Sequence, residues 1–233
     1  MKILVCITHV PDTTSKIAFT DGNKSFDGTG VQFIIGPYDD YALARAVELK
    51  EKHSGEITVV NVGTAVTDPT IRKALAIGAD KAIRVNAEPT DSLFVATQIA
   101  EIAKKDTYDL ILMGRESIDF NGGVVHGMVA EMLNIPSVSP VMRLEVENGK
   151  ASMDKEIEGG KEVIEVSLPM VAGCQEPIAE WKIPNMRGIM MARSKPLEVL
   201  EPVAVDLGFE IVEFELSETK ASCRMVDLSL IHI

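Results

Sequence analysis

The residues best suited to chemistry lie in one stretch, residues 110–133, with the sequence LILMGRESIDFNGGVVHGMVAEML. A buried-type apolar run stops at Gly114, a polar loop continues to Gly123, and an apolar helical pattern follows. Strand, glycine-bearing loop and helix start together form anion sites in α/β proteins, because glycine lets main-chain N–H groups approach a phosphate. The stretch therefore predicts a nucleotide-phosphate site, although an ordinary strand-to-helix turn would give the same pattern.

The loop matches neither G-x-G-x-x-G nor G-x-x-x-x-G-K-[ST], so no standard fingerprint supports the site. In a parallel sheet, ligands lie outside the carboxyl ends of the strands. The loops expected at that edge are residues 8–14, 63–67 and 114–123. Within the last of these, Ser117, Asp119 and Asn121 could bond ribose hydroxyls or cap the following helix, and the sequence leaves both roles open.

No catalytic machinery is evident, and we expect a binding protein with no metal. The four histidines (His9, His53, His126 and His232) do not form an i, i+2 or i, i+4 metal-ligand pair. Ser117 lacks the G-x-S-x-G context of a nucleophile.

A second distinctive segment, residues 181–195 (WKIPNMRGIMMARSK), is basic in a chain of net charge −12. It has no acidic residue, and its cations are Lys182, Arg187, Arg193 and Lys195. It also holds Trp181 and three methionines, while Pro184 and Gly188 are expected to break regular structure. Adaptable methionines beside positive charge predict a docking loop for an acidic partner. A Met-rich packed segment with solvated charges is the alternative.

Composition excludes several classes of protein. The 23 basic residues against 35 acidic ones argue against a nucleic-acid partner, which would need a surplus of cations. Three cysteines without C-x-x-C spacing indicate buried free thiols in a reducing cytoplasm. The N-terminus MKILVCIT does not have the form of a signal peptide, and no apolar run approaches the roughly 18 residues of a membrane span.

Up to residue 136, short apolar runs alternate with amphipathic helical patterns. Strands are predicted at residues 2–8, 56–62, 81–86 and 110–114. Helices are predicted at residues 39–53, 68–77, 91–105 and 124–133, with Asp91 as the N-cap of the third. This alternation predicts an α/β fold, with a mostly parallel sheet covered by helices on both faces.

Beyond residue 136 the pattern changes to strands joined by tight turns. A hairpin is predicted from residues 141–147 and 150–158, which flank a turn at Asn148 and Gly149. A second turn, at Gly159 and Gly160, leads to a strand at residues 162–167. Another strand is predicted at residues 169–172. We expect these strands to be an antiparallel extension of the same sheet. From about Lys195 the chain is acidic and interrupted by proline, which predicts one domain over residues 1–194 and an extended tail over 195–233.

Taken together and in order, these segments resemble the small (β) subunit of electron transfer flavoprotein, including its nitrogen-fixation-associated homologues. The resemblance covers about residues 1–226. VNVGTAVTDPTIRKALAIGADKAIRV is its most specific segment, and KILVCITHVPDTTSKIAF, GPYDDYALARAVELKE, GRESIDFNGGVVHGMVAEMLNIP, EIEGG and MRGIMMARSKPLEV are similar to further family segments.

The resemblance implies a flavodoxin-like or adenine-nucleotide-hydrolase-like α/β fold and a heterodimer with a larger alpha subunit that holds most of the FAD. It implies an electron carrier, not an enzyme, with AMP bound structurally in this subunit. Electrons would come from flavin dehydrogenases, such as the acyl-CoA dehydrogenases of fatty acid β-oxidation. They would pass to the respiratory chain through a quinone-linked oxidoreductase.

Site residues follow from the resemblance by motif. The AMP contacts would be Cys6, Gly36, Pro37, Tyr38, Asp39, Val62, Gly114, Arg115, Glu116, Ser117, Ile118, Asp119, Phe120, Asn121, Gly122, Gly123, Val124 and Val125. The dehydrogenase-recognition loop would be Lys182, Ile183, Pro184, Asn185, Met186, Arg187, Gly188, Ile189, Met190 and Met191, with Met186 as its apolar anchor. Glu156 matches a family glutamate that pairs with a large-subunit arginine near the flavin, and Thr13 stands where many members carry a flavin-side tyrosine.

The chain departs from the family at several of these positions. Gly36 replaces a common asparagine, and residues 122–125 replace T-G-Q-V, so some nucleotide contacts would pass to glycine N–H groups. Met186 stands in place of leucine, and Met191 and Ser194 stand where some members carry modified lysines. The final LSLIHI matches a peptide encoded by a sequencing adapter, so we expect residues 228–233 to be non-native and the family's C-terminal arm to be missing.

Two other functions remain as alternatives. In electron-bifurcating members this subunit holds a second FAD in place of AMP, and a Thr/Ser-rich turn opens the helix that here begins with DSLFVA. Bulky Phe94 and Val95 in that turn favour AMP. A stand-alone nucleotide-binding module is the other alternative, and the basic segment 181–195 argues against it because such a module needs no docking loop.

Overall fold

A computed structural model describes residues 1–206, 208, 211–218 and 222. Its strands are β1 (Lys2–Cys6), β2 (His9–Pro11), β3 (Phe19–Thr20), β4 (Ser25–Phe26), β5 (Phe33–Ile35), β6 (Glu56–Val62), β7 (Lys81–Val85), β8 (Leu110–Gly114), β9 (Ser137–Glu147), β10 (Lys150–Ile157), β11 (Gly160–Ser167), β12 (Met170–Cys174) and β13 (Leu197–Leu200). Its α-helices are α1 (Pro37–His53), α2 (Asp68–Ile77), α3 (Ser92–Lys105), α4 (Val125–Leu133) and α5 (Met186–Ala192).

One nine-stranded sheet organises the described chain, in the order β11-β10-β9-β12-β8-β1-β6-β7-β13. From β9 to β13 all neighbouring strands in this order are parallel. At the other edge, β10 is antiparallel to both β9 and β11. The predicted α/β class, with a mostly parallel sheet and an antiparallel hairpin extension, is confirmed.

The central strands are buried on both faces, which is why they read as continuous apolar runs. Along β1, Ile3 and Val5 pack with residues of α1 and α2, whereas Leu4 and Cys6 pack with residues of α3 and α4. Successive side chains of a strand point to opposite faces, so each strand contributes to both cores. Burying each large aliphatic side chain stabilises the fold by roughly 1.5–3 kcal/mol.

Several predicted elements are confirmed to the residue, namely β6, α2 and β8. The Asp91 cap is also confirmed, since its Oδ1 accepts a 2.5 Å hydrogen bond from the Phe94 N–H at the start of α3. Cys6 and Cys174 are buried free thiols, as expected, and Cys223 lies outside the described residues.

Three expectations differ from the structure. The strand expected at residues 169–172 is β12, and it is parallel to β8 and β9, so its antiparallel assignment is wrong. The chain does not leave the body at Lys195, because β13 pairs with the edge strand β7. Gly188 does not break regular structure, because it lies within α5, whereas Pro184 precedes that helix. The expectation for residues 228–233 lies outside the described part of the chain.

Across the described residues, no helix combines the length and the apolar composition that crossing a bilayer requires.

Candidate functional site

A cavity of about 670 Å³ opens at the carboxyl ends of β1, β6 and β8, the edge at which the sequence predicts a ligand. Its floor comes from the ends of these strands, including Cys6, Val62 and Met113. The turn from β6 to α2 forms one wall, and the start of α3 and the loop from β8 to α4 form the other. The fold therefore brings the three predicted loop regions around one space.

Asp39 is the main polar link between the strand ends at this cavity. It lies in the first turn of α1, is 3% exposed, and turns its carboxylate towards the sheet. Oδ2 accepts hydrogen bonds from the N–H (2.8 Å) and hydroxyl (2.6 Å) of Thr8, after β1. Oδ1 accepts one of 2.7 Å from the N–H of Gly114, at the end of β8. Burial raises the pKa of Asp39 from 3.8 to about 6, although these hydrogen bonds favour the charged form.

Two predicted glycines lie against this carboxylate. A Cβ on Gly36 would overlap the Thr8 hydroxyl and lie 2.6 Å from Oδ2 of Asp39. A Cβ on Gly114 would lie 2.7 Å from Oδ1 of Asp39 and 2.7 Å from the Cβ of Tyr38. Glycine at both positions is therefore a packing requirement of the Asp39 hydrogen bonds, not only a feature of a ligand loop.

The loop between β8 and α4 has the backbone of a ligand-binding turn. Asn121 and Gly123 have φ values of 51° and 61°, a region that glycine adopts without strain. No side chain caps α4, whose N-cap residue is Val124. The capping role considered for Ser117, Asp119 and Asn121 is thus not seen. Instead, Asp119 accepts hydrogen bonds from Ser117 and from the Phe120 N–H inside the loop.

Arg115 connects this loop to the hairpin of β10 and β11. Its guanidinium lies 5.0 Å from the ring centroid of Tyr38, and Nη2 pairs with Glu116 at 2.8 Å. Nη1 donates a 3.0 Å hydrogen bond to Oε1 of Gln175. The Nε2 of Gln175 donates in turn to Glu156 at 2.5 Å. Buried Gln175, which the sequence did not single out, thus joins the predicted nucleotide loop to the predicted partner-facing glutamate.

The predicted AMP contacts fall into two groups. Those that line the cavity are Cys6, Asp39, Val62, Gly114, Arg115, Glu116, Ser117, Asp119, Phe120, Gly122, Gly123, Val124 and Val125. Those outside its lining are Gly36, Pro37, Tyr38, Ile118 and Asn121. Of these, Gly36 lies against the Asp39 carboxylate, and the Tyr38 ring lies against the Arg115 guanidinium.

The lining also includes residues that the sequence did not assign individually to the nucleotide, among them Asn61 of β6 and His9 of β2. Asn61 is buried, its Nδ2 donates a 2.9 Å hydrogen bond to the Ile7 carbonyl, and its Oδ1 has no hydrogen-bond partner. His9 stacks on Phe33 with ring centroids 4.5 Å apart, and its Nδ1 lies 2.8 Å from the Thr70 hydroxyl. Burial lowers the pKa of His9, which favours the neutral ring. A polar residue inside the apolar run of β6 was the one available signal for Asn61.

Two titratable residues beside the loop between β8 and α4 line the cavity, His126 and Asp119. Among the described residues, no group of three His, Cys, Asp or Glu side chains is arranged to hold a metal ion. His126 Nδ1 lies 3.4 Å from the Ser137 hydroxyl, while Asp119 bonds within its own loop. Burial lowers the pKa of His126 and raises that of Asp119.

The basic segment forms a separate surface that contributes no residue to the cavity lining. Asn185 caps α5 by accepting a 2.8 Å hydrogen bond from the Gly188 N–H. Of the seven residues of α5, only Ala192 is buried. Large apolar side chains are exposed along the segment, and we call them the docking patch: Trp181, Ile183, Met186, Ile189, Met190 and Met191. Met186 is 73% exposed, so the packed-core alternative for this residue is wrong.

The family model and the relatives that match this chain carry the same family description. Residues 25–205 match the family described as "Electron transfer flavoprotein domain". The chain is 36% identical to "Electron transfer flavoprotein subunit beta" of Bacillus subtilis, over 93% of this chain and 85% of that protein. It is 38% identical to the protein of that name from Syntrophomonas wolfei, over 95% and 88%. The human protein of that name is 32% identical, over 91% and 84%.

Proposed function

The chain belongs to the electron transfer flavoprotein β-subunit family, and from that premise we propose that it binds AMP in the cavity and helps a large-subunit FAD carry electrons. Family membership supports a small subunit that works in a heterodimer with an alpha subunit. The observation that carries the AMP proposal is the cavity at the ends of β1, β6 and β8, which is lined by a glycine-containing loop and a helix start.

The cavity residues suit an adenine nucleotide. The first N–H groups of α4 have no acceptor within the helix, and they carry its positive dipole, so they favour a phosphate. Gly123 has open space where a Cβ would stand, apart from the Arg115 carbonyl at 3.9 Å. The unpartnered Oδ1 of Asn61 in β6 is a candidate acceptor at the floor of the cavity.

The polar residues around the cavity position the nucleotide loop. Asp39 holds the ends of β1 and β8 together, so that the loop after Gly114 keeps its shape around the nucleotide. Arg115 contributes positive charge to the cavity wall while Glu116 and Gln175 fix its orientation. AMP itself undergoes no reaction and acts as part of the structure.

The redox chemistry belongs to the flavin, which accepts and releases electrons when it is bound between the subunits. Glu156 and Thr13 are the residues of this chain that we propose to face it, Glu156 by pairing with an arginine of the large subunit. The bond from Gln175 holds the Glu156 carboxylate in place.

The docking patch is the proposed contact with flavin dehydrogenases, such as acyl-CoA dehydrogenases. Its exposed methionines can adapt to an apolar pocket, and Lys182, Arg187 and Arg193 would attract an acidic rim. An electron carrier needs such a surface because it must associate with and leave several partners.

Replacing Gly123 with valine tests the AMP proposal. A β-branched residue at φ 61° is strained and fills the space through which the main chain would approach the phosphate. We expect AMP affinity of the heterodimer, measured by calorimetry, to fall by about 1–3 kcal/mol, the cost of leaving polar partners unpaired.

Gly149→Val is the matched control. Gly149 has a φ of 75°, no atom within 4 Å of its Cβ position, and a place in the turn between β9 and β10, outside the cavity lining. It introduces similar backbone strain, so it should lower stability while AMP affinity stays at the wild-type value. Equal losses of affinity in both variants would show that strain, not lost phosphate contact, explains the effect.

A further inference from the structure

The docking helix α5 is too short to be stable by itself. Isolated helices below about 12–15 residues are marginal in water, and α5 has seven residues with one buried side chain. Its conformation must therefore come from contacts with the rest of the chain. Those contacts lead to α2, the helix against which α5 packs.

Arg72 of α2 supplies the first of these contacts. Its Nη1 donates hydrogen bonds to the main-chain carbonyls of Ala192 (2.9 Å) and Lys195 (2.7 Å), at and just beyond the end of α5. A guanidinium at a helix C-terminus satisfies carbonyl groups that have no partner within the helix and complements their negative dipole. Arg72 thus closes the C-terminal end of the docking helix.

Lys195 makes the reciprocal contact. Its Nζ donates to the carbonyls of Leu75 (2.8 Å) and Ala79 (2.6 Å), near the end of α2. Each helix end is therefore held by a cation from the other segment. Gly188 also packs directly against α2. A Cβ added at Gly188 would overlap the main-chain oxygen of Ala76.

We propose that Arg72 and Lys195 are positioning residues that hold the docking helix in its binding conformation before a dehydrogenase arrives. Both side chains donate hydrogen bonds to main-chain carbonyls of this chain. Their role therefore differs from that of Lys182, Arg187 and Arg193, which we propose to attract the partner. The inference rests on the docking function proposed for α5 and adds the residues that prepare it. Preorganisation lowers the ordering cost that association would otherwise include.

Arg72→Met tests this proposal in the heterodimer, because methionine keeps an apolar stem and removes both hydrogen bonds. If the binding conformation falls to about a tenth of the population, the apparent Kd for the dehydrogenase rises about tenfold. We expect KM for the dehydrogenase to rise by this factor while kcat at saturation stays within about twofold. Amide hydrogen exchange of residues 186–192 should accelerate in parallel.

Arg45→Met is the matched control. Arg45 also joins a helix to a main-chain carbonyl, since its Nε donates a 2.8 Å hydrogen bond to the Leu144 oxygen, but it lies between α1 and β9. This variant should lower the melting temperature without changing KM or the exchange of residues 186–192. Gly188→Ala is an independent second variant. Its added methyl group would push α5 away from α2, so it should raise KM as Arg72→Met does.

The KM values of three variants distinguish the positioning role of Arg72 and Lys195 from the docking function of α5. If Met186→Ala raises KM but Arg72→Met and Gly188→Ala do not, the docking function stands and the positioning role is wrong. If none of the three raises KM, α5 is not the docking helix. Faster exchange in Arg72→Met with an unchanged KM would also overturn the positioning role, because a loosened helix would then bind equally well.

Discussion

The main-chain N–H of Gly114 donates a 2.7 Å hydrogen bond to Oδ1 of Asp39, and this bond fixes the end of β8 to the start of α1. The other oxygen of the same carboxylate holds the residue that follows β1. One buried side chain thereby sets the spacing of two of the three strands that end at the cavity. The geometry of the proposed nucleotide site depends on this link.

Gly114→Ala should break the link. The added methyl carbon would lie 2.7 Å from both the Asp39 carboxylate and the Tyr38 Cβ, and neither neighbour is the free end of a flexible side chain. Overpacking of this kind costs typically about 1–3 kcal/mol, so the free energy of unfolding from a denaturant titration should fall by that amount.

Gly127→Ala is the control for that measurement. Gly127 lies in α4, is exposed, and has no atom within 4 Å of its Cβ position. Alanine is better than glycine in a helix by roughly 0.5–1 kcal/mol, so this variant should be slightly more stable. Equal stability of the two variants would contradict the packing requirement at Gly114.

Asp39 should also give the protein an unusual pH dependence. Its pKa in the folded state, about 6, lies above the ordinary value of 3.8, so the folded chain binds this proton more tightly than the unfolded chain does. The resulting stabilisation is complete below pH 3.8 and is lost as pH rises through about 6.

Comparison with Asp39→Asn isolates this contribution, because asparagine does not titrate. The difference in unfolding free energy between wild type and variant should favour the wild type more at pH 4 than at pH 7.5. We expect a change on the order of 2–3 kcal/mol, since one pKa unit corresponds to about 1.4 kcal/mol. A difference that is constant over this range would mean that the Asp39 pKa is not raised.

Met186 and Arg187 should affect docking in different ways. Met186→Ala removes an exposed anchor whose burial in a complex is worth roughly 1.5–3 kcal/mol, so electron transfer from a cognate dehydrogenase should weaken about tenfold or more. Arg187→Glu should instead slow association and change its salt dependence, because rim charges act mainly on encounter. Stopped-flow kinetics at several salt concentrations distinguishes the two effects.

Flavin and AMP contents should stay normal in both docking variants, since neither residue lines the cavity. Met186 is 73% exposed, so its replacement should leave stability nearly unchanged. If transfer rates were unaffected while flavin content fell, the segment would serve the fold and not the partner.

The parallel core could be predicted because its signals are local. In β6, α2 and β8 the apolar run or period, the helix-start proline and the closing glycine all agree, and their bounds match the structure. The cavity edge could be predicted because ligands lie outside the carboxyl ends of the strands in a parallel sheet. The direction of β12 could not be predicted, because a five-residue apolar run does not indicate whether its neighbours are parallel or antiparallel.

Other features depend on contacts that no local pattern shows. Glycine disfavours helix, yet α5 includes Gly188. The helix forms because Asn185 caps its start and Arg72 binds the Ala192 carbonyl at its end. Arg72 is 120 residues from Ala192 in sequence, so no local pattern shows this contact. Likewise, Asp39 has the pattern of a helix-start acid, and only the fold shows that its carboxylate faces Thr8 and Gly114. The Gln175 link between Arg115 and Glu156 is of the same kind.

The most direct test of the proposed function is a count of bound nucleotides, by absorbance and by mass spectrometry after denaturation, on this chain alone and on its complex with the large subunit. We predict one FAD and one AMP per heterodimer, and little FAD on the isolated chain, which lacks an FAD-type glycine fingerprint. Two FAD and no AMP per heterodimer, or stoichiometric FAD on the isolated chain, would contradict the proposal and favour the bifurcating function.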